Sequence, residues 1–134
     1  MDLFQKAMIK AMIQSKRYIY YFDVVSEMSN KKFQEEFETK DFTILKINRI
    51  EDIIDYLIKM YGTVAVANKF DELGIIVNDL NHLGNELSNE NVNPKLRNQY
   101  MYKQMQIFME KVKEFTIDGV PVYLVGKVNL KDEV

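Results

Sequence analysis

Apolar side chains recur along this chain mostly at helical spacing. Asp2 is a good N-cap, and Phe4, Ala7, Met8, Ala11 and Met12 share one face of a helix starting at Leu3. Tyr18, Tyr21, Phe22, Val25 and Met28 continue in phase with Phe4 and Ala11, and no Gly or Pro intervenes. One long N-terminal helix is therefore expected over about residues 3–28, against a competing strand signal from the Tyr and Val content of residues 17–25. Ser29-Asn30 opens a short helix with Phe33 and Phe37 inward, and DFTILKI (41–47) reads as a strand. Next, Asn48 and Glu51 fit an N-cap and its N3 partner. Ile50, Ile53, Ile54, Leu57, Ile58 and Tyr61 then repeat at i, i+3, i+4 and i+7, with Gly62 as the stop.

Beyond Gly62 the same periodicity predicts a helix holding Val66, Ala67, Phe70 and Leu73, ended by Gly74. A further helix from about Val77 places Ile76, Leu80, Leu83 and Leu87 on its apolar side. Residues 88–94 (SNENVNP) are a polar loop too short to separate domains. Lys95 to Glu114 reads as a long helix with Leu96, Tyr100, Met101, Met105, Phe108 and Val112 inward. Asp118-Gly119, between apolar runs, predicts a hairpin joining Phe115–Ile117 to a Val120–Val128 strand, with Pro121 suggesting an edge or an irregular start. The expected fold is a single α+β domain over 1–134, predominantly helical. It has about six helices, a helical core over 49–114 and a small antiparallel sheet with a C-terminal β-hairpin at 115–128. An echo, Lys40-Asp-Phe-Thr-Ile44 against Lys113-Glu-Phe-Thr-Ile117, hints that the 42–47 strand joins that hairpin.

Composition narrows the chemistry. The 134 residues are 47% hydrophobic with a net charge of -2, which fits one folded domain with no global field toward nucleic acid or membrane. The absence of Cys removes disulfides, thiolate catalysis and Cys-based metal sites. Lys outnumbers Arg 15 to 3, a bias of AT-rich genomes that points to a low-GC bacterium or its phages and plasmids. No run of apolar residues is long enough to span a bilayer. MDLFQKAMIKAMIQSKR lacks the layout of a signal peptide, which makes the cytoplasm the expected compartment.

The candidate sites are sparse. A helix-turn-helix over 63–87, turning at Leu73-Gly74-Ile75, conflicts with the acidic run Asp71, Glu72, Asp79, Glu86 and Glu90. A winged-helix reading fares better, since Lys95, Arg97, Lys103, Lys111 and Lys113 lie on the 95–114 helix before the hairpin. Lys16 to Phe22 interleaves basic and aromatic residues as stacking platforms do, but the same aromatics serve a core. Asp79, His82 and Glu86 stand at i, i+3 and i+7 on one helix face, a weak metal candidate without a second His. Glu35, Glu36, Glu38 and Asp41 form an acidic cluster that reads most simply as a solvated face. No nucleophile elbow or phosphate-cradling glycine loop is present.

These observations favour a non-catalytic regulator or inhibitor with no cofactor, acting by protein–protein contact and self-associating as a homodimer. Phe4, Met8, Met12, Tyr18, Tyr20 and Met28 are its expected interaction surface, since Met and Tyr suit adaptable binding faces. A winged-helix nucleic-acid regulator using 95–128 is the alternative.

Overall fold

Six residues, Tyr18–Asp23, decide the architecture. In the computed structural model, which describes residues 2–26, 28–39, 41–85 and 93–126, they form a strand and not the second half of a long helix. The first helix, α1, runs Leu3–Ser15 behind an Asp2 cap whose carboxylate accepts the Gln5 N–H. The chain then extends into β1, Tyr18–Asp23. The helical spacing of Tyr18, Tyr21 and Phe22 misleads because β1 is buried on both faces. Ile19 and Tyr21 point to one layer and Phe22 to the other, so strand and helix patterns both find apolar residues.

The remaining elements follow in order: α2 (Asn30–Phe37), β2 (Phe42–Leu45), α3 (Ile50–Ala67), a 3-10 turn (Phe70–Glu72), β3 (Leu73–Asn78), α4 (Leu80–Asn85), α5 (Pro94–Ile117) and β4 (Val122–Val125). The strands form one sheet in the order β2-β1-β3-β4, and every pairing is parallel. This corrects the expectation of about six helices on an antiparallel sheet: the described residues hold five α-helices and a four-stranded parallel sheet. The helical core expected over 49–114 is interrupted by β3 itself. LGIIVN is a continuous apolar run buried on both sides, which is the signature of a central parallel strand. The helix-turn-helix dissolves with it, because Leu73-Gly74-Ile75 lies inside β3.

The C-terminal hairpin is replaced as well. Phe115-Thr116-Ile117 is the last turn of α5, and Asp118 with Gly119 (φ 87°) ends that helix. Asp-Gly here stops α5 and closes the crossover from β3, so β4 returns parallel to β3. Gly62 does not stop α3, which continues to Ala67 and is ended by Asn68 in the left-handed conformation. Nor does Asn48 cap it: Arg49 holds the cap position without a side-chain bond. Residues 88–92 of the expected polar loop, and Leu87, lie outside the described residues.

Two apolar layers sandwich the sheet. On one face α1 and α2 pack through Ile9, Met12, Phe33 and Phe37 onto Ile19, Tyr21 and Ile76. On the other, α3 and α5 pack through Ile53, Leu57, Phe108 and Phe115 onto Phe22, Ile75 and Val77. Gly74 permits the close seating of α1, since a Cβ there would lie 2.6 Å from the Met12 sulfur. The β1-α2-β2 and β2-α3-β3 connections move in opposite directions and use opposite faces, as a single crossover hand requires. The result is a doubly wound α/β sandwich. No helix among the described residues is long and apolar enough to cross a membrane.

Candidate functional site

Doubly wound sheets bind ligands outside the carboxyl ends of their strands, where neighbouring connections leave in opposite directions. Here that switch point lies between β1 and β3, so the residues to inspect are Asp23, Asn78 and Asp79 and the segment leading into α2. Among the described residues, several polar groups of the crevice are paired with one another. Asp23 is wholly buried, and its carboxylate accepts the backbone N–H of Met28 at 2.8 Å. Val24 N–H donates to the Asn78 carbonyl at 2.8 Å, joining the two strand ends. The Asn78 amide donates to the Tyr21 hydroxyl at 2.7 Å. Ser29 caps α2 by accepting the Lys32 N–H at 3.0 Å. An anion at this position would need such N–H groups free. A pocket of about 110 Å³ remains beside the crevice, lined by Lys6, Tyr21, Met28, Lys32, Glu36 and Asn78 among others. Lys6 and Glu36 are bonded to each other at 2.6 Å, and that hydrogen-bonded ammonium holds the Glu36 carboxyl below its ordinary value.

Asp79 accepts the His82 N–H at 2.9 Å and its oxygen lies 2.8 Å from His82 Nδ1, an ordinary helix-start arrangement around an exposed imidazole. Glu86, the third member of the metal candidate, lies outside the described residues. Among the described residues no three His, Cys, Asp or Glu side chains converge on a metal-sized site. The acidic cluster is likewise spread, with Glu36 committed to Lys6 across the α1–α2 seam.

The expected interaction surface divides. Met12 and Met28 are buried, and Tyr18 and Tyr20 belong to a central strand packed under α3 and α5. Phe4 and Met8 remain open, at 68% and 42% exposure. The basic residues of the nucleic-acid alternative all lie on α5. At 3.6 residues per turn, Lys95, Arg97, Lys103, Lys111 and Lys113 spread over more than half its circumference. Arg97 and Lys111 are half-buried, and Lys111 pairs with Glu114 at 3.4 Å. The hairpin that was to serve as a wing is absent.

The surface that helical spacing overlooked lies at the β4 edge. Ile75 N–H donates to the Pro121 carbonyl at 3.0 Å, which fixes the phase of the pairing. The backbone groups of Tyr123 and Val125 therefore turn toward β3, while those of Val122 and Leu124 turn outward. No described strand receives them. α5, which packs against β4, presents Tyr102 (57% exposed), Met105 and Met109 (44% exposed) beside a shallow open groove of about 470 Å³ lined by α5 residues alone, with Gln106, Glu110 and Lys113 along its wall. That flank faces away from α3, because the opposite flank carries Tyr100, whose hydroxyl donates to Glu51 of α3. Below the edge, Phe4 and Met8 occupy the flank of α1 opposite Lys6, the side that meets α2. An uncharged strand edge is thus bracketed by apolar side chains from both layers.

No protein-family model matches the chain, and no curated protein matches it in sequence. The functional reading accordingly rests on the site. From the sequence, Pro121 pointed to an edge or an irregular start of the C-terminal strand, and β4 begins just after it at the sheet edge. Tyr102 and Met109 were hidden because Leu96, Tyr100, Met101 and Met105 already supplied a plausible inward face for the same helix. In the structure Leu96 and Tyr100 are exposed, and Met101, Phe108, Val112 and Phe115 form the buried stripe.

Proposed function

We propose that this chain is a non-catalytic protein that works by binding another polypeptide along its β4 edge. The observation that supports the reading is a contrast. At the strand ends, the N–H groups of Met28 and Lys32 are already taken by Asp23 and Ser29. At β4, the outward N–H and C=O groups of Val122 and Leu124, with Phe4, Met8, Tyr102 and Met109 around them, form a cluster of exposed aromatic and Met side chains without charge on the strand. Such clusters mark binding faces, and an open edge takes an added strand through main-chain hydrogen bonds. The scattered basic residues of α5 offer nucleic acid no single positive face.

Two arms test the reading. Mononucleotides, dinucleotides and inorganic phosphate at millimolar concentration are expected to leave the melting temperature unchanged, and a dose-dependent rise contradicts the proposed reading. A photo-crosslinking amino acid placed at Tyr102 is expected to capture polypeptide in living cells while the same group at Val66 does not. Capture at both positions, or at neither, overturns the binding surface.

A further inference from the structure

We infer that the polypeptide at this edge is a second copy of the same chain, joined β4 to β4 across a two-fold axis into one continuous eight-stranded sheet. This deepens the reading above by naming the partner. The backbone is self-complementary for the purpose. An antiparallel copy centred on Tyr123 pairs Val122 of one chain with Leu124 of the other, and both residues point their backbone groups outward.

The helices meet the same axis. Val120 N–H donates to the Phe115 carbonyl at 3.0 Å, which sets the two elements at a common height. From that point Tyr123 lies three residues up β4, about 10 Å. Met109 lies six residues back along α5, about 9 Å. One axis through Tyr123 therefore passes beside Met109, at the middle of the apolar groove. With strands about 4.8 Å apart and α5 packed against β4, the two α5 helices lie side by side across the axis, close to the roughly 8–10 Å packing distance of a helix pair.

Area argues for symmetry as well. Phe4, Met8, Tyr102 and Met109 together leave roughly 400 Å² of side chain open on each copy, taking about 150–250 Å² for a whole aromatic side chain. A copy contributing the same surface, with the strand contact added, reaches the roughly 1,000 Å² that a specific interface needs.

The absence of Cys makes the test positional. Met109→Cys, at a position exposed in the single chain, is expected to form a disulfide-linked dimer under mild oxidation. Ile58→Cys, equally exposed on α3 at 48%, is expected to stay uncrosslinked. Sedimentation equilibrium of the unmodified protein is expected to return twice the 15.9 kDa chain mass, and Met109→Glu to return the chain mass with its circular dichroism unchanged. A wild type that remains at the chain mass at about 100 µM overturns the second-copy inference, as does a dimer that crosslinks through Ile58→Cys and not Met109→Cys. Neither result touches the wider reading, which fails through ligand stabilisation, through capture at both Tyr102 and Val66, or through capture at neither.

Discussion

The sheet has two edges of equal length and nearly equal backbone geometry, and they are finished differently. At β2, Ile19 N–H donates to the Asp41 carbonyl, so Phe42 and Ile44 turn their backbone groups outward just as Val122 and Leu124 do at β4. The neighbours differ. Phe42 stacks with Phe33 at 4.6 Å between ring centroids, and Phe33 with Phe37 at 4.8 Å, so α2 folds over the strand. By helical spacing α3 overhangs β2 with Asp52, Tyr56, Lys59 and Thr63, and Asp41 and Lys46 flank the strand. Charges beside an edge discourage another strand from adding to it. Neither strand carries a charge among its own four residues, but β4 is bounded by Pro121 and Gly126 in place of charged neighbours, with Phe4, Met8, Tyr102 and Met109 exposed on the helices of its two layers and Glu110 and Lys113 on α5. Backbone geometry makes both edges competent; on the proposed reading, the side chains around them decide which one takes a partner.

Breaking the covered edge has the largest expected effect. Phe33→Ala removes a wholly buried ring that contacts Tyr21, Phe37 and Phe42, and should cost about 3–5 kcal/mol in urea unfolding. Gly74→Ala tests how α1 is seated beside the open edge. Its Cβ would fall 2.6 Å from the Met12 sulfur and 3.1 Å from Ile19 Cδ1, an overpacking expected to cost about 1–3 kcal/mol. Met12→Ala in the same background should recover part of that loss.

At the open edge itself the effect should move from stability to assembly. Met8→Lys and Tyr102→Lys replace exposed side chains, so the single chain should change by no more than about 0.5 kcal/mol while the dimer fraction falls. Lys59→Met on the β2 side should leave assembly untouched. A large stability loss from Tyr102→Lys under monomeric conditions would show that the side chain belongs to the core after all.

The smallest effect concerns the other flank of α1. Lys6 holds Glu36 below its ordinary carboxylate value. A lowered folded-state pKa contributes stability above the unfolded value of 4.5, and that contribution disappears as pH falls through the lowered value. The melting temperatures of wild type and Lys6→Met should therefore differ slightly at pH 7 and converge in acid. A difference that persists in acid assigns the Lys6 contribution to packing of its stem.

How much of this was legible in the sequence depends on whether an element faces water. Helices with one wet side were readable: α2 with Phe33 and Phe37 inward, α3 with Ile50, Ile53, Ile54 and Leu57, and the span of α5. The central strands were not. β1 and β3 are covered on both faces, so their apolar residues show no alternation, and a helical repeat can be drawn through them as easily. The echo makes the point locally. Phe42-Thr43-Ile44 is a strand and Phe115-Thr116-Ile117 is a helix end, at opposite sides of the sheet, with the same three residues in the same order. Asp118-Gly119 suits a helix stop as well as a hairpin turn, and only the partner strand decides between them. Of the residues expected at the interaction surface, Phe4 and Met8 are exposed on α1. Met12, Tyr18, Tyr20 and Met28 depended on what the sheet would cover.

The comparison between the two edges is most directly tested by residue-resolved amide hydrogen exchange on the unmodified protein at the concentration where it sediments as an assembly. Val122 and Leu124 N–H should exchange slowly, as paired strand amides do, while Phe42 and Ile44 N–H exchange at rates close to those of open chain. Equally fast exchange at both edges, or protection confined to β2, would contradict the account.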